Sequence, residues 1–256
     1  MSDLINKIMD YWDARPCNLR HSKSEIGTKE YFDQVEQRRY TIEPHNYKFA
    51  EFNKCKDLRI LEIGCGIGTD AINFARAGAK YTGVDLSNES VKLCRKRFEI
   101  YGLQANIFQA DAERLDEYFR YEKFDLIYSF GVIHHSPNPQ KIIDSAKNLL
   151  AHDGELRIML YAKNSWKNFM IESGLDQPEA QNNCPLALTY TKDEVKQLLK
   201  DFRQIEIEQD FIFPWIIEKY VNYEYQKQPW FECMPEQMFR TLEKNLGWHL
   251  LIKAKL

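Results

Sequence analysis

Strand-like and helix-like patterns alternate through the middle of this chain. Between Leu58 and Tyr161, each short apolar run is followed by a stretch with apolar residues at helical spacing. Alternation of this kind predicts a mainly parallel sheet that is covered by helices on both faces. Capping residues mark the predicted helix ends, since Gly78 and Gly102 each follow a helical stretch and Ser87 precedes one.

The segments that flank this core have other patterns. Residues 1–57 contain helical stretches before the first strand, so they predict an N-terminal helical extension. Residues 162–190 have little clear period and suggest a loop-and-helix insert above the sheet. Residues 214–235 are dense in aromatic side chains, which line a pocket or, as the default interpretation, form a satellite core. A helix and a last strand, residues 248–254, close the chain.

Composition limits the classes of function. The 256 residues suffice for one large domain or for a core with an appended cap. The formal net charge of −3, without a block of Lys and Arg, argues against nucleic acid as the main partner. Six cysteines without metal-ligand spacing suggest reduced thiols, and the first residues lack the pattern of a secretory signal. The apolar segment 211–217 is too short to span a membrane, so we expect a cytoplasmic protein without a membrane partner.

A glycine-rich stretch is the most informative part of the sequence. An apolar run ends at Glu62 and leads into Gly64, Gly66 and Gly68, and helical spacing starts directly afterwards. Glycine lets the backbone take positive φ and lets a ligand approach closely, so this loop at a helix N-terminus suits a nucleotide-like cofactor. Nicotinamide and flavin folds favour G-x-G-x-x-G, which would place the third glycine at Thr69. The observed spacing, E-x-G-x-G-x-G, therefore argues against an oxidoreductase.

Further marks follow in order along the chain. A second apolar run ends in Asp85, where a ribose-binding carboxylate is expected, and residues 124–135 combine the fourth run with a loop. With the glycine motif, these marks resemble the class I S-adenosylmethionine (SAM)-dependent methyltransferases. The resemblance implies an α/β, Rossmann-like, doubly wound fold with a seven-stranded sheet whose last strand is antiparallel. It also implies a methyltransferase domain at residues 58–256, with residues 1–57 as a lid and the helical and aromatic inserts as a cap.

The same resemblance implies SAM as the cofactor, S-adenosylhomocysteine (SAH) as the product, and no metal ion. At the methionine end of the cofactor, it implies that Gly64, Gly66 and Gly68 leave room along the backbone. Glu62 would order the loop and the ammonium group, and carbonyls near Phe130 would hold that ammonium group.

The resemblance also assigns residues to the nucleoside end of the cofactor. Asp85 would accept hydrogen bonds from the ribose hydroxyls, because a carboxylate has acceptors enough for a diol. Leu86 would flank the adenine. Asp111 would accept a hydrogen bond from the adenine amino group, and the backbone of Ala112 would contact a ring nitrogen of the adenine.

The loop after the fourth strand bears on the acceptor. It lacks the N/D-P-P-Y sequence of amino-group methyltransferases, and its pair His134 and His135 resembles small-molecule methyltransferases of the ubiquinone and menaquinone type. A histidine is able to remove a hydroxyl proton as the methyl arrives, so either residue is a candidate catalytic base. The alternative is structural, with a histidine that only donates to a backbone carbonyl. A metal role is disfavoured because adjacent side chains diverge and no acidic cluster accompanies them.

Four residues are candidates for the acceptor pocket by their position. Tyr11, Arg20 and His21 lie in the extension, and Tyr161 ends the fifth strand, at the same mouth as His134. The planar fork of Arg20 could pair with an acceptor carboxylate or phosphate. An exposed Arg-His pair on a loop is an equally good interpretation.

Three functions remain open at this point. The favoured one is methyl transfer by in-line displacement to an oxygen or nitrogen of a small molecule, such as a sugar, a quinone-like ring or a natural-product intermediate. The second is methylation of a peptide side chain in a groove formed by residues 214–231. The third is a catalytically silent SAM-binding partner or regulator. All three share a fold and a cofactor, and they differ in what occupies the space beside that cofactor.

Overall fold

The computed structural model describes residues 3–176, 179 and 183–256. Its helices are α1 Asp3–Ala14, α2 Lys29–Ile42, α3 Pro44–Ala50, α4 Thr69–Arg76, α5 Asn88–Tyr101, α6 Leu115–Tyr118, α7 Pro139–Leu149, α8 Trp166–Glu172, α9 Lys192–Leu198, α10 Ile217–Tyr220, α11 Pro229–Glu232 and α12 Glu236–Leu246. Its strands are β1 Arg59–Ile63, β2 Lys80–Asp85, β3 Asn106–Gln109, β4 Phe124–Phe130, β5 Leu150–Ala162, β6 Thr189–Tyr190, β7 Gln204–Asp210 and β8 His249–Lys255. Among the described residues, no helix combines the length and apolar character needed to cross a membrane.

The strands form one sheet in the order β3-β2-β1-β4-β5-β8-β7. Strands β1 to β5 pair in parallel, and β8 runs antiparallel to both of its neighbours, β5 and β7. This order confirms the α/β fold with an antiparallel last strand, and β6, two residues paired to β5, is added to the seven expected strands. The strand order reverses between β1 and β4, and the carboxyl ends of strands at such a point form a crevice for ligands.

Local capping signals set the ends of the helices around this crevice. The Ser87 hydroxyl accepts a hydrogen bond from the backbone N–H of Ser90 at the start of α5, and Gly102 ends that helix with a φ of +63°. Thr191 and Glu194 form a reciprocal capping box at the start of α9. These helix boundaries are therefore fixed by short-range contacts.

The N-terminal helices are anchored to the glycine-rich turn. Tyr31, Phe32 and Val35 of α2 are fully buried and pack against Ile67 of that turn. The buried side chain of Arg97, on α5, donates to the backbone carbonyl of Phe32 at 3.2 Å. The extension is thus packed on the sheet domain, beside the part of the chain where the cofactor is expected.

The aromatic insert, residues 214–235, contributes both to a small buried cluster and to the wall of a cavity. Ile212, Phe231 and Phe239 form a small buried cluster, with Trp166 of α8 packed against it. Trp230 remains half-exposed at the edge of a cavity, which Phe231 and Trp166 also line. Both interpretations of residues 214–235, a satellite core and a cavity wall, therefore describe the segment.

Candidate functional site

A cavity of about 620 Å³ opens at the carboxyl ends of the parallel strands. The turns that follow β1, β2, β3 and β4 line one part of it, and α1, the end of α2 and the two inserts line the rest. Its volume lies within the range typical of small-molecule sites. The extension and the inserts therefore border the space beside the glycine-rich turn.

The three glycines of the motif have positive φ but different surroundings. A Cβ on Gly64 would lie 2.1 Å from Cγ2 of Val132, so this residue is required by close packing. A Cβ on Gly66, with φ +52°, would meet nothing within 4 Å, and Gly66 lines the cavity. Gly68 does not line the cavity. It caps the N-terminus of α4, and a Cβ on it would lie 2.8 Å from Sγ of Cys94 on α5. The open backbone at Gly66 is what a ligand that must approach closely requires.

The carboxyl group of Glu62 lies at the end of β1, where it lines the cavity. Its side chain is 3% exposed and accepts a hydrogen bond from Oη of Tyr81 over 2.5 Å. Burial, together with the nearby Asp70 carboxylate, raises the pKa of Glu62 well above its ordinary value. A bound ammonium group would favour the ionised form and oppose that shift, so the site fits the role expected for Glu62.

Asp85 ends β2 and is fixed by two backbone hydrogen bonds. Its Oδ2 accepts from the N–H of Gly66 at 2.8 Å, and its Oδ1 accepts from the N–H of Ser87 at 2.9 Å. Burial raises the pKa of Asp85 to about 6, although these two bonds act in the opposite direction. The group is therefore mostly ionised at neutral pH and retains acceptor lone pairs for a diol. Leu86 lines the cavity beside it.

Asp111 and Ala112 follow β3, and both line the cavity. Asp111 is 8% exposed, and its Oδ1 accepts from the N–H of Glu113 at 2.9 Å, which fixes the side chain. Phe130, at the end of β4, lines the cavity as well. Two fixed carboxylates at the ends of neighbouring strands, next to an open glycine backbone, fit the nucleoside and the methionine parts of SAM.

His134, one of the two candidate bases, is not placed as expected. It is fully buried and does not line the cavity, and neither ring nitrogen has a hydrogen-bond partner among the described residues. Burial, with the neighbouring His135, lowers the pKa of His134 well below its ordinary value. The ring of His134 packs on Tyr161 with 3.7 Å between centroids. His134 and His135 are consecutive residues of the 3-10 turn Ile133–His135, so their side chains point into different surroundings. His134 is therefore a buried neutral ring without access to an acceptor.

His135 lines the cavity, but both of its ring nitrogens are engaged. Nδ1 lies 2.6 Å from the carbonyl oxygen of Leu186, and Nε2 lies 3.3 Å from the carboxylate of Glu179. Burial lowers the pKa of His135, but hydrogen bonds to Cys184 and Glu179, with the charge of Glu179, raise it to about 10. At neutral pH the ring is thus a cation and not a free base. The bond to Leu186 agrees with the structural alternative, a histidine that donates to a backbone carbonyl.

The four candidate acceptor residues fall into two groups. Tyr161 and His21 line the cavity. Tyr161 Oη donates to Oε1 of Glu179 over 2.6 Å, and burial lowers the pKa of His21 to about 3, so that its ring is neutral. Tyr11 and Arg20 do not line the cavity, and Arg20 is exposed. Its place on the loop matches the alternative interpretation, an exposed cation, and its guanidinium is not positioned as an anchor.

The sequence pattern did not reveal an ion pair that lines the cavity. Nη1 of Arg39 lies 2.6 Å from Oε2 of Glu43, and the two side chains are only 12% and 18% exposed. The charges of Glu43 and of Asp70 outweigh burial and raise the pKa of Arg39. The spacing of four residues at the end of α2 was an available signal, but such pairs usually lie on solvated helix faces.

A second pair of residues joins α3 to β8. Nε2 of His45 and Nδ1 of His249 are 2.8 Å apart, and both rings are buried. Only His249 lines the cavity. No signal in the sequence could have paired these residues, because 204 positions separate them.

Two groups of potential metal ligands occur in the described part of the chain, Glu43 with His45 and His249, and His134 with His135 and Glu179. In the first group the two imidazoles hydrogen-bond each other directly, which uses the nitrogen atoms that would face a metal ion. In the second, the nitrogens of His135 already contact a carbonyl and a carboxylate. These contacts account for both groups without a metal, and the expectation of no metal stays a prediction.

The strand order, the glycine-rich turn and the fixed carboxylates define an α/β protein with a cavity for a nucleoside cofactor. Comparison with known proteins makes this class more specific. The family described as "Methyltransferase domain" matches residues 54–203, which is more than half of the chain. The chain belongs to this methyltransferase domain family.

Two curated relatives are similar to the central part of the chain. The ubiquinone biosynthesis O-methyltransferase of Actinobacillus pleuropneumoniae is 38% identical over 101 residues, which are 38% of this chain and 43% of that protein. The phthiotriol/phenolphthiotriol dimycocerosates methyltransferase of Mycobacterium leprae is 36% identical over 100 residues, which are 38% of this chain and 36% of that protein. The chain thus spans less than half the length of the curated relatives it matches.

A solved structure is similar over the whole chain. The magnesium protoporphyrin IX methyltransferase of Synechocystis PCC 6803, crystallised with bound SAM, superposes with a TM-score of 0.60 and 15% identity. The match covers 100% of this chain and 99% of that chain. At this identity, the likeness shows a common fold.

Proposed function

We propose that the protein transfers the methyl group of SAM to an oxygen or nitrogen atom of a small-molecule acceptor. The observation that carries this proposal is one cavity with two parts. In the first part, the open backbone of Gly66 adjoins the fixed carboxylates of Asp85 and Asp111. In the second, aromatic and ionisable side chains of the extension and the inserts surround the remaining space.

The residues of the first part would hold the cofactor. Asp85 would accept from the ribose hydroxyls, Asp111 would accept from the adenine amino group, and Glu62 would face the methionine ammonium. When bound, SAM supplies a methyl group that its sulfonium already activates. The protein therefore needs to align the acceptor behind that methyl and keep water away, and alignment alone accounts for about 7 to 11 kcal/mol of a barrier.

A small acceptor is favoured over a peptide side chain by the size and the lining of the cavity. Helix α1, the end of α2 and both inserts line the part of it beyond the cofactor turns, and its volume of about 620 Å³ is that of a small-molecule site. The two relatives above act, by their names, in ubiquinone biosynthesis and on phthiotriol compounds. These names support a hydroxylated small molecule as the acceptor. All six cysteines are unpaired, which supports the further proposal of a cytoplasmic location.

The test measures binding first and turnover second. Calorimetry with SAH on the purified protein is expected to give a micromolar dissociation constant. SAM with a deuterated methyl group is then incubated with small-molecule extracts and with peptide digests, and labelled products are found by mass spectrometry. Label in the small-molecule fraction is expected. Label only in peptides supports the peptide alternative, and SAH binding without any labelled product supports the silent binding protein. Absence of SAH binding overturns the proposal.

A further inference from the structure

We propose that His249 is the catalytic base of this site, held by His45, and that it takes the hydroxyl proton of an aromatic acceptor. The inference rests on the proposed methyl transfer to a small molecule. It replaces the two histidines after β4, which the sequence singled out, with a residue from the last strand.

The first step of the argument concerns access to the cavity. Three histidines line the cavity, namely His21, His135 and His249, and His134 and His45 lie behind the wall, packed on lining residues. His134 is excluded from the lining, and both nitrogens of His135 are engaged. Nδ1 of His21 is enclosed without a partner, and its Nε2 lies 3.5 Å from Oη of Tyr220.

His249 differs from His21, His134 and His135 because one of its ring nitrogens is held by a hydrogen bond and the other is not. Its Nδ1 contacts Nε2 of His45, while its Nε2 has no hydrogen bond to a described residue and is not among the enclosed unpartnered atoms. With the proton on Nδ1 donated to His45, Nε2 carries the lone pair. The hydrogen bond between the two rings is compatible with either direction, and the role of a base requires the tautomer in which Nδ1 of His249 is the donor.

The second step concerns position relative to the cofactor part. The ring of His249 meets Phe130 edge to face, with 5.5 Å between centroids. Phe130 ends β4, beside the turn where the methionine end of the cofactor is expected. His249 therefore lies on the side of the cavity where the methyl group would be offered.

The third step concerns the acceptor. Phe211 stacks on His249 with 4.8 Å between ring centroids, and Tyr161 lies parallel to it at 6.1 Å. Trp248, the preceding residue, stacks on Tyr161 and lines the cavity. These rings cover one another and hold His249 in place, whereas Trp166, Trp215 and Trp230 line the cavity and are less buried. Partly exposed aromatic side chains favour a flat ring as the acceptor, so the proton to be removed would be a phenolic one.

Burial and the charges around His249 keep its ring neutral before the proton is transferred. The groups that face it from the packed elements are His45 and Glu43 on or next to α3, Arg39 on α2, His134 after β4 and Lys167 on α8. Burial first, and then the nearby His45 and Arg39, lower the pKa of His249 well below its ordinary value. The lone pair of Nε2 is thus available at neutral pH.

The reaction balances with these groups. The acceptor oxygen forms a bond to the methyl carbon as the bond from that carbon to the sulfonium sulfur breaks, and the hydroxyl proton passes to Nε2 of His249. The positive charge lost from sulfur appears on the imidazolium. A carboxylate oxygen of Glu43 lies within 4.8 Å of one ring nitrogen of each histidine, while Oε2 of Glu43 is paired with Arg39 at 2.6 Å.

The test uses the full chain labelled with ¹⁵N-histidine, in complex with SAH, and catechol as the probe. We expect the Nε2 resonance of His249 to be that of an unprotonated nitrogen and to move upfield when catechol binds. The resonances of His152, whose side chain is 97% exposed, should stay unchanged. With SAM, catechol should be methylated.

Two variants separate catalysis from structure. His249→Asn keeps an amide near the position of Nδ1 for His45 but removes Nε2, so kcat for catechol should fall by about 10² to 10⁴, with SAH affinity unchanged within a factor of about two. His45→Phe should lower kcat less and change the tautomer signal of His249. His152→Asn is the matched control and should behave as the wild type.

The outcomes distinguish this inference from the proposed function. If SAH binds and catechol does not, or if catechol binds without moving the His249 resonance, the inference is overturned and methyl transfer to another acceptor still stands. Unchanged kcat in His249→Asn also overturns it. Should SAH itself fail to bind the wild type, the proposed function fails first.

Discussion

Oη of Tyr81, on β2, donates a hydrogen bond to the buried carboxyl group of Glu62, on the neighbouring strand β1. The bond spans 2.5 Å, and both side chains are at most 3% exposed. Tyr81 thus gives the first acidic residue of the glycine motif a partner inside the protein. The partner lies one strand away, so motif spacing alone does not reveal it.

Removal of this phenol should destabilise the protein and loosen the motif. In Tyr81→Phe, the carboxyl of Glu62 loses its donor while it stays buried, so the free energy of unfolding should fall by about 1 to 3 kcal/mol. Urea denaturation measures this value, and Tyr121→Phe, at a residue that is 91% exposed, is the control. A change below about 0.5 kcal/mol in Tyr81→Phe would show that Glu62 does not depend on the phenol.

Substitution of Gly66 should separate cofactor binding from folding. Gly66→Ala places a methyl group in open space at a positive φ, so stability should fall by about 1 kcal/mol, while SAH affinity should fall at least about tenfold. Gly102→Ala is the matched control, because Gly102 also has positive φ and nothing within 4 Å of a Cβ, but it ends α5 away from the cavity. Equal SAH affinity in the two variants would contradict a cofactor that lies against the turn.

The affinity for SAH should depend on pH through Asp85. Its pKa is raised to about 6, and its ionised form is the one that accepts from ribose hydroxyls. Affinity should therefore rise as the pH increases through about 6 and level off above it, with a fall of up to about tenfold per pH unit on the acid side. Calorimetry between about pH 5 and pH 8 tests this. Asp85→Asn should bind about 10 to 100 times more weakly and lose the step, whereas Asp153→Asn, at an exposed residue, should keep it.

The attachment of the extension should depend on Arg97. Its fully buried guanidinium pairs with Glu36 at 2.7 Å and donates to the hydroxyl of Thr69 at 3.1 Å, which joins α2, α4 and α5. Arg97→Met should lower the free energy of unfolding by about 1 to 3 kcal/mol, because the Thr69 hydroxyl and the Phe32 carbonyl lose a buried donor, while Glu36 keeps its ion pair with Arg76. Thermal and urea unfolding measure the effect, with Arg120→Met on the surface as the control. An unchanged midpoint would mean that the extension is held by its apolar contacts alone.

Much of the fold was predictable because its signals are local or periodic. The alternation from Leu58 to Tyr161 predicted the parallel sheet, and Ser87 and Gly102 predicted the ends of α5, since a cap is a contact between residues a few positions apart. The extra strand β6 was not predicted, because a two-residue strand has no period.

The candidate site was predictable only for motif residues that the backbone of the sheet places directly, at the carboxyl ends of its strands. Asp85, Asp111 and Gly66 lie on the cavity because parallel strands bring their carboxyl ends to one edge of the sheet. Residues of loops were harder to place. Arg20 is exposed and His134 is turned into the core, since the direction of a side chain on a short turn depends on what packs against it.

The amino-acid sequence by itself determined the sheet, the glycine-rich turn and the acids that follow it, because these depend on the spacing of neighbouring residues. Only the tertiary structure decided which side chains share the cavity with them. His45 and His249 are 204 positions apart, and Arg39 and Glu43 face inward only because the extension packs over the sheet. Contacts of this kind arise when the chain is folded, so no local pattern encodes them.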